Sequence, residues 1–332
     1  MSTSTAPIDV AEKVALVFPG QGSQSIGMME GYSDIPVVRE TFREASDILG
    51  EDFWAMVLDG PADQLGRTIN TQPVMLTAGI AVYRACETLG EVKPVFMAGH
   101  SLGEYTALVA SGALAFDVAL RLVRFRAEVM QEAVPEGIGA MAAIIGLDDE
   151  VVWALCDEAT SSSGEELVEP ANFNSPGQIV IAGHKNAVLR ATELAKTKGA
   201  RRAMMLPVSV PSHCSLMRQA ATKMCEKLET VPLGRPEVSL LHNADVQSHD
   251  RPESIKETLV RQLFSPVRWT EIVQFFASAG VTHVVECGPG KVLSGLNKRI
   301  SPDLKGLALT DSHVLRSAIS LLKGRDESCP VA

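Results

Sequence analysis

The feature that most restricts the fold of this chain is a short apolar segment that leads directly into a serine flanked by glycines. Residues 95–98 read Val-Phe-Met-Ala, residues 99–103 read Gly-His-Ser-Leu-Gly, and helical spacing follows over residues 104–115. In a G-x-S-x-G pattern the two glycines permit a strained strand-to-helix turn that holds the serine hydroxyl out of the fold. The pattern therefore predicts a nucleophilic Ser101 at the tip of such a turn, and an ordinary glycine-rich turn is the alternative.

A second apolar run, Val14–Phe18, has the length of a buried strand and ends at the sequence Pro-Gly-Gln-Gly of residues 19–22. Glycine permits backbone conformations that are closed to other residues, so we expect a functional loop there. Apolar residues then recur at helical spacing over residues 72–89. Buried strands that alternate with helices predict an α/β protein.

Residues 137–206 have a different pattern, in which shorter strands and helices alternate. The predicted strands are 140–146, 167–173, 178–182 and 202–206, and the predicted helices are 148–159 and 185–198. The resulting order, βαββαβ, is typical of a ferredoxin-like unit. We therefore predict a small subdomain over 137–206 that is inserted into a larger subdomain formed by 1–136 and 207–332.

Composition excludes several classes of protein. The chain has 332 residues and 46% hydrophobic residues, enough for one large domain or two lobes. Its formal net charge of −10 argues against nucleic acid as a partner, because phosphate binding needs clustered Lys and Arg. Without a basic N-terminal cluster before an apolar run, or ~18 uninterrupted apolar residues, we expect a cytoplasmic protein with no membrane contact. The six scattered cysteines predict reduced thiols and no metal site.

A serine hydroxyl is a weak nucleophile and needs a general base, for which His213 is the best candidate. It ends the Pro-Val-Ser-Val-Pro-Ser-His segment that follows the last predicted strand of the small subdomain, where the chain would re-enter the cleft. A histidine that only packs at this junction is the alternative. His100 adjoins the serine, but neighbours on a turn usually point apart, so we expect a supporting role. We expect surface or structural roles for the other histidines: His184, His242, His249, His283 and His313.

A third candidate, Arg126, is one of three arginines on the predicted helix that follows the serine turn, the others being Arg121 and Arg124. A guanidinium presents a planar fork that holds a carboxylate through two parallel hydrogen bonds. Arg126 would therefore suit a dicarboxylic acyl group. A solvated helix face is the alternative interpretation of the three arginines.

Together these features resemble a known family, the malonyl-CoA:acyl carrier protein transacylases and the related acyltransferase domains of fatty acid and polyketide synthases. The resemblance implies an α/β-hydrolase-like large subdomain, a ferredoxin-like small subdomain and an active site between them. The matching segments occur in family order from about residue 13 to residue 322: 18–24, 71–73, 99–104, 130–136, 173–177, 207–213, 266–269 and 286–290.

The resemblance also implies a role for each site residue. Ser101 would be the nucleophile and His213 its general base, oriented by the backbone carbonyl of Gln262 in place of an acidic third residue. The remaining implied roles are an oxyanion hole formed by the N–H groups of Gln21 and Leu102, a malonyl carboxylate clamp at Arg126, and cleft-lining positions at Asn174 and His100.

The implied reaction is a ping-pong transfer of malonyl from malonyl-CoA to holo acyl carrier protein, which supplies fatty acid biosynthesis without a metal or organic cofactor. The family's carrier proteins are acidic, so this acidic chain needs a local basic patch for docking. The candidates for this patch are Lys196, Lys198, Arg201 and Arg202, and a solvated helix end is the alternative. We expect a monomer.

Two other functions remain open from the sequence. An α/β-hydrolase acting as an esterase or thioesterase would use the same serine turn, but it would need an acidic partner for His213 and gives no reason for Arg126. A catalytically silent scaffold is the second, and the intact Ser101 and His213 speak against it. Within the family, methylmalonyl or another extender unit and a polyketide pathway are further alternatives.

Overall fold

The computed structural model describes residues 13–90, 92–160, 165–208 and 210–323. The strands in this part of the chain are β1 (Val14–Phe18), β2 (Phe96–Gly99), β3 (Gly139–Ile145), β4 (Val168–Ser175), β5 (Gln178–His184), β6 (Arg202–Met205), β7 (Ser239–Leu241), β8 (His283–Cys287) and β9 (Lys305–Leu309). The helices are α1 (Pro36–Leu49), α2 (Phe53–Leu58), α3 (Ala62–Gly66), α4 (Thr68–Leu89), α5 (Gly103–Ala110), α6 (Phe116–Ala133), α7 (Asp149–Ala159), α8 (Lys185–Thr197), α9 (Arg218–Glu229), α10 (Pro252–Phe264), α11 (Trp269–Ser278), α12 (Val292–Ile300) and α13 (Ser312–Leu322).

The larger sheet is parallel and has the strand order β7-β2-β1-β8-β9. Its central strand β1 is buried on both faces. Leu16 and Phe18 pack in one apolar cluster, while Ala15 and Val17 pack in a second cluster on the opposite face. A strand that is covered on both sides must be apolar at every position, which explains the continuous run Val-Ala-Leu-Val-Phe.

The smaller sheet is antiparallel and has the strand order β4-β5-β3-β6. Its elements follow one another along the chain as β3-α7-β4-β5-α8-β6. Ile144 of β3 and Ile181 of β5 pack with Leu155 of α7 and Val188 of α8, which gives this sheet its own apolar core. The opposite face carries Met141 and other side chains of a separate small cluster.

Tight packing between backbones fixes the turn that carries Ser101. A Cβ on Gly99 would lie 1.8 Å from the backbone carbon of Gly103, and a Cβ on Gly103 would lie 2.1 Å from the carbonyl oxygen of Phe18. Only glycine fits at either position. Because Phe18 is also paired with Gly99 across β1 and β2, the loop after β1 and the serine turn leave the same edge of the sheet side by side.

The helix after the serine turn is shorter than the sequence predicts. We expected it over residues 104–115, but α5 ends at Ala110 and α6 begins at Phe116. Between them Gly112 adopts a φ of +73°, a left-handed conformation that ends the helix. Apolar residues continue through the break because both helices are buried, so periodicity alone could not locate it.

The two sheets are joined by short backbone contacts between β4 and the segment before α11. The N–H of Phe173 donates to the carbonyl of Val267 over 2.9 Å, and the N–H of Val267 donates to Ala171 over 2.9 Å. The predicted larger subdomain includes residues 1–12 and 324–332, which lie outside the described residues. No helix in the described part of the chain is both long and apolar enough to cross a membrane.

Candidate active site

Ser101 lies at the tip of the turn between β2 and α5, with a φ of +53°. This left-handed conformation is uncommon for a residue with a side chain and is typical of functional turns. Its hydroxyl oxygen is 2.7 Å from Nε2 of His213. The two side chains are separated by 112 positions in the sequence and are brought together by the fold.

His213 also has a left-handed backbone, with a φ of +63°, and its N–H donates to the carbonyl of Leu263. Its Nδ1 is 2.8 Å from the carbonyl oxygen of Gln262. A carbonyl only accepts, so Nδ1 carries the proton and the bare Nε2 faces the hydroxyl of Ser101. Burial, reinforced by the nearby Arg126 cation, lowers the pKa of His213 to about 3. The imidazole is therefore neutral and able to take a proton.

Arg126 differs from the other arginines of α6. Its side chain is 1% exposed, whereas Arg121 is exposed and Arg124 pairs with Glu51 at 2.8 Å. The guanidinium of Arg126 donates through Nη1 to Gln72 and through Nη2 to Gln262, both over 2.9 Å. Burial lowers the pKa of this guanidinium, and the same Nη2 is 3.3 Å from the Ser101 hydroxyl oxygen. The solvated-face interpretation does not apply to Arg126.

The loop after β1 packs directly on the serine turn. A Cβ on Gly20 would lie 2.3 Å from the carbonyl oxygen of His100 and 3.7 Å from the nitrogen of Leu102. Neither the N–H of Leu102 nor that of Gln21 donates to an acceptor among the described residues. The N–H of Leu102 is thus available beside Ser101 at the start of α5, where the helix dipole favours negative charge, and the N–H of Gln21 lies on the loop that packs on this turn.

A cavity of about 480 Å³ opens above Ser101 and is lined by both sheets' elements. Its lining includes Arg126 and His213 together with Asn174 and Val180 of the small sheet. Within this lining, Nε2 of His100 is 2.8 Å from Oδ1 of Asn174. Burial lowers the pKa of His100, so a neutral ring donates this hydrogen bond.

The structure shows a buried polar cluster that the sequence did not predict. Glu104 is completely buried and accepts hydrogen bonds from Nδ1 of His242, the N–H of Asn243 and the side chain of Gln262. For His242 we predicted a surface or structural role; it is 0% exposed and hydrogen-bonded to Glu104, which excludes the surface role and fits the structural one. The available signal was position, because polar residues that follow a buried parallel strand gather at the sheet's carboxyl edge.

The predicted basic patch is only partly available for docking. Lys196 pairs with Glu193 at 2.7 Å, and Lys198 pairs with Glu158 at 3.0 Å. Arg201 and the neighbouring Arg202, which begins edge strand β6, are both exposed. The two arginines therefore carry most of the net positive charge of this patch.

Comparison with known sequences places the chain among acyl transferases. The family model described as the acyl transferase domain matches residues 15–299. A malonyl CoA-acyl carrier protein transacylase of Escherichia coli (strain K12) is 51% identical over 308 residues, covering 92% of this chain and 99% of that protein. A protein of the same name from Bacillus subtilis (strain 168) is 44% identical over 317 residues, with coverages of 95% and 99%.

Solved structures agree in fold. The acyl-carrier-protein S-malonyltransferase of Burkholderia pseudomallei 1710b is 56% identical, with a TM-score of 0.90 and coverages of 93% of this chain and 99% of that one. A second structure contains a type II PKS acyl-carrier protein in complex with its malonyl-transacylase. The matched chain of that structure is 49% identical to this one, with a TM-score of 0.91, and the match covers 93% of this chain and 100% of that one.

Proposed function

This chain belongs to the acyl transferase domain family, and on that premise we propose that it moves malonyl from malonyl-CoA to the phosphopantetheine thiol of acyl carrier protein. One observation carries the proposal. The hydroxyl oxygen of Ser101 lies 2.7 Å from a neutral His213 and 3.3 Å from a buried Arg126 guanidinium. A nucleophile, its base and a carboxylate-binding cation thus meet at a single atom.

In the first half-reaction, Ser101 attacks the malonyl thioester carbonyl and gives its proton to Nε2 of His213. The new bond from Oγ to carbon creates a tetrahedral oxyanion, which the N–H groups of Gln21 and Leu102 stabilise. The carbon–sulfur bond then breaks, and the departing thiolate of coenzyme A takes the proton from His213. The product is a malonyl-serine ester.

The second half-reaction reverses these steps with a different thiol. The carrier's phosphopantetheine thiol gives its proton to His213 and attacks the ester carbonyl. The carbon–oxygen bond to Ser101 breaks, and the serine regains its proton. The carbonyl of Gln262 keeps His213 in the required tautomer through both halves. We propose that this neutral partner makes His213 a poorer base for water than the carboxylate of a hydrolase triad would, which limits hydrolysis.

The position of Arg126 favours malonyl over acetyl. In a malonyl-serine ester the carboxylate carbon is three bonds from Oγ of Ser101, within reach of a guanidinium 3.3 Å from that oxygen. Leaving a buried guanidinium without a charged partner costs about 1.5 to 3 kcal/mol, which corresponds to a factor of about 10 to 100. Acetyl-CoA should therefore load more slowly by about that factor.

The proposal extends to the arrangement of the fold. We assign an α/β-hydrolase-like large subdomain to 1–136 and 207–332 and a ferredoxin-like small subdomain to 137–206, because the small antiparallel sheet has its own apolar core. Asn174 then contributes to the cleft from the small subdomain and holds His100 by a 2.8 Å hydrogen bond.

For the carrier protein we propose docking on the small subdomain beside the cleft, where Arg201 and Arg202 would meet its acidic surface. Fatty acid biosynthesis is the proposed pathway. A polyketide pathway is the alternative, because one similar structure holds a type II PKS acyl-carrier protein. The absence of a metal or organic cofactor, the monomeric state and the cytoplasmic location stay predictions.

The deciding experiment is intact-protein mass spectrometry after brief incubation with malonyl-CoA, for the wild type and for Ser101→Ala. We expect a malonyl adduct on the wild type alone, and its transfer to holo carrier protein when that is added. An adduct that decays to malonate without reaching the carrier would indicate a hydrolase. No adduct from any of a panel of acyl-CoAs would indicate a scaffold.

A further inference from the structure

Glu104 lies behind the reacting groups and contacts none of the substrate-facing atoms. It is the first-turn acidic residue of α5, three positions after Ser101, and it is completely buried. Oε1 accepts from Nδ1 of His242 over 2.7 Å, and Oε2 accepts from the N–H of Asn243 and from Nε2 of Gln262, both over 2.9 Å. All three partners donate, which suits a carboxylate because it only accepts.

The first arm of this cluster leads to the nucleophile. Asn243, whose backbone is held by Glu104, donates through Nδ2 to the carbonyl of Gly99 and accepts at Oδ1 from the N–H of Ser101, both over 2.7 Å. The side chain of Asn243 thus hydrogen-bonds to the two residues on either side of His100. These bonds support the left-handed backbone of Ser101, which would otherwise be unfavourable for a residue with a side chain.

The second arm leads to the base and the cation. Gln262 donates from Nε2 both to Glu104 and to the carbonyl of Ser101, and its Oε1 accepts from Arg126. Its backbone carbonyl accepts from Nδ1 of His213. One glutamine therefore contacts the guanidinium through its side chain and the imidazole through its backbone carbonyl.

We propose that Glu104 is the positioning residue of this centre, because one buried carboxylate fixes both Asn243, which holds the nucleophile's backbone, and Gln262, which orients the base. A hydrolase triad places its carboxylate directly on the histidine. Here the carboxylate of Glu104 contacts Gln262, and Gln262 in turn accepts from the histidine. The inference deepens the proposed function, on which it rests.

Substitutions at Glu104 can separate the effect of its hydrogen-bond geometry from the effect of its charge. In Glu104→Gln the amide oxygen can replace Oε2 and accept from Asn243 and Gln262. The amide nitrogen can donate to His242 if that ring carries its proton on Nε2, an atom without a partner among the described residues. All three contacts then survive without the negative charge. Glu104→Ala removes them, and Glu104→Asp withdraws the carboxylate by one methylene so that it no longer spans the three donors.

The readout is the second-order rate of Ser101 labelling by a fluorophosphonate, which needs the activated serine but no malonyl group. Displacement of a reacting group by about 1 Å can cost about 100-fold in rate. We expect Glu104→Ala to lower the labelling rate by about 100-fold and Glu104→Asp by about 10-fold. Glu104→Gln should stay within about threefold of the wild type. Malonyl loading should fall in kcat, with KM nearly unchanged.

The matched control is Glu286→Ala. Glu286 is also completely buried, but it accepts from the N–H groups of Leu293 and Ser294 at the start of α12 and contacts none of the reacting groups. We expect this variant to melt at a lower temperature and to label at nearly the wild-type rate per folded molecule. If Glu104→Ala does not fold, the labelling rate of Glu104→Asp tests the inference.

Two results would overturn the inference. One is a wild-type labelling rate in Glu104→Asp or folded Glu104→Ala. The other is a rate in Glu104→Gln as low as that in Glu104→Ala, which would show that charge rather than position matters. A wild type that labels with the fluorophosphonate but forms no malonyl adduct would instead refute the proposed function and leave the role of Glu104 intact.

Discussion

The two walls of the cleft are built in different ways. The large-sheet wall carries Ser101, His213 and Arg126, each held by hydrogen bonds within a buried polar cluster. The small-sheet wall combines the apolar side chains of Met141 and Val180 with three amides, Asn172, Asn174 and Gln178, of which Asn174 hydrogen-bonds to His100. The first wall holds its reacting groups in a connected network of buried hydrogen bonds, whereas the second makes one such bond to the serine turn and mainly shapes the space.

This difference indicates which changes the enzyme tolerates. Groups that transfer protons or stabilise an oxyanion must stay within a few tenths of an ångström of their positions, so losing one removes a large share of the rate. A side chain that only shapes the pocket contributes less, because each added or missing methylene is worth only about 1 to 3 kcal/mol. We therefore expect mutational effects to fall steeply from the first wall to the second.

The largest effect should follow loss of the base. His213→Ala should lower malonyl loading by about 10,000-fold, the upper end of what a general base contributes, because the Ser101 proton then has no acceptor. Stopped-flow mass measurement of the adduct would test this. The control is His313→Ala, since His313 is exposed, and it should leave loading unchanged. A loss below about 10-fold in His213→Ala would remove His213 from the mechanism.

Loss of the cation should be smaller and selective. Arg126→Ala should lower malonyl loading by about 100-fold, because the substrate carboxylate loses its charged partner, and should lower residual acetyl loading much less. Both rates can be read from adduct formation with the two acyl-CoAs. Arg121→Ala, on an exposed position of the same helix, is the control and should change neither rate. Equal losses for malonyl and acetyl would refute the clamp.

On the second wall, Asn174→Ala should have a modest effect. It removes one neutral hydrogen bond to His100, which is worth about 1 kcal/mol, so kcat/KM for malonyl transfer should fall by about fivefold. The control is Asn186→Ala, at an exposed position of α8. A loss above about 100-fold would place Asn174 with the first wall and would contradict the contrast between the two.

The smallest effect should come from pH. Because the pKa of His213 is lowered to about 3, the base stays neutral, and the loading rate should change by less than about twofold between about pH 7.5 and 5.5. A histidine with an ordinary pKa near 6.5 would lose about 10-fold over this range. A pH–rate profile of kcat/KM for loading, with a fall of that size, would contradict the prediction.

Stability should respond to pH in a defined direction. The unfolded chain protonates this histidine near pH 6.5, whereas the folded protein does not until about pH 3. Between these values the unfolded state binds more protons, so the free energy of unfolding should decrease as the pH falls. It should be independent of this group above about pH 7. Denaturant titrations of the wild type and His213→Ala would isolate the contribution.

Local patterns predicted most of the elements that lie around the site. The strand Val14–Phe18 has the expected bounds, because a strand buried on both faces is an unbroken apolar run. The break at Gly112 was missed, since apolar residues continue through it. Bounds of the antiparallel strands differ from prediction by a residue or two, because pairing rather than composition decides where a strand ends.

Within the site, the serine turn could be recognised from sequence because its G-x-S-x-G spacing is local, although Gly103 is required by its contact with the distant Phe18. The base could be named as a candidate, but its partner was implied only by resemblance. Glu104, Asn243 and the side chain of Gln262 could not be joined from spacing, since up to 158 residues separate them in sequence. Arg126 is buried and Arg121 is exposed, a difference that the sequence pattern of their helix does not show.

The sequence by itself determined the parts of this protein that depend on neighbouring residues: the buried strands, the strained serine turn and the chemical types available for acyl transfer. The tertiary structure alone decided which polar groups meet. A hydrogen bond requires donor and acceptor to lie within about 3 Å, and residues far apart in the chain reach that distance only after the sheets and helices have packed. The position of Ser101 can be read locally, but its activation cannot.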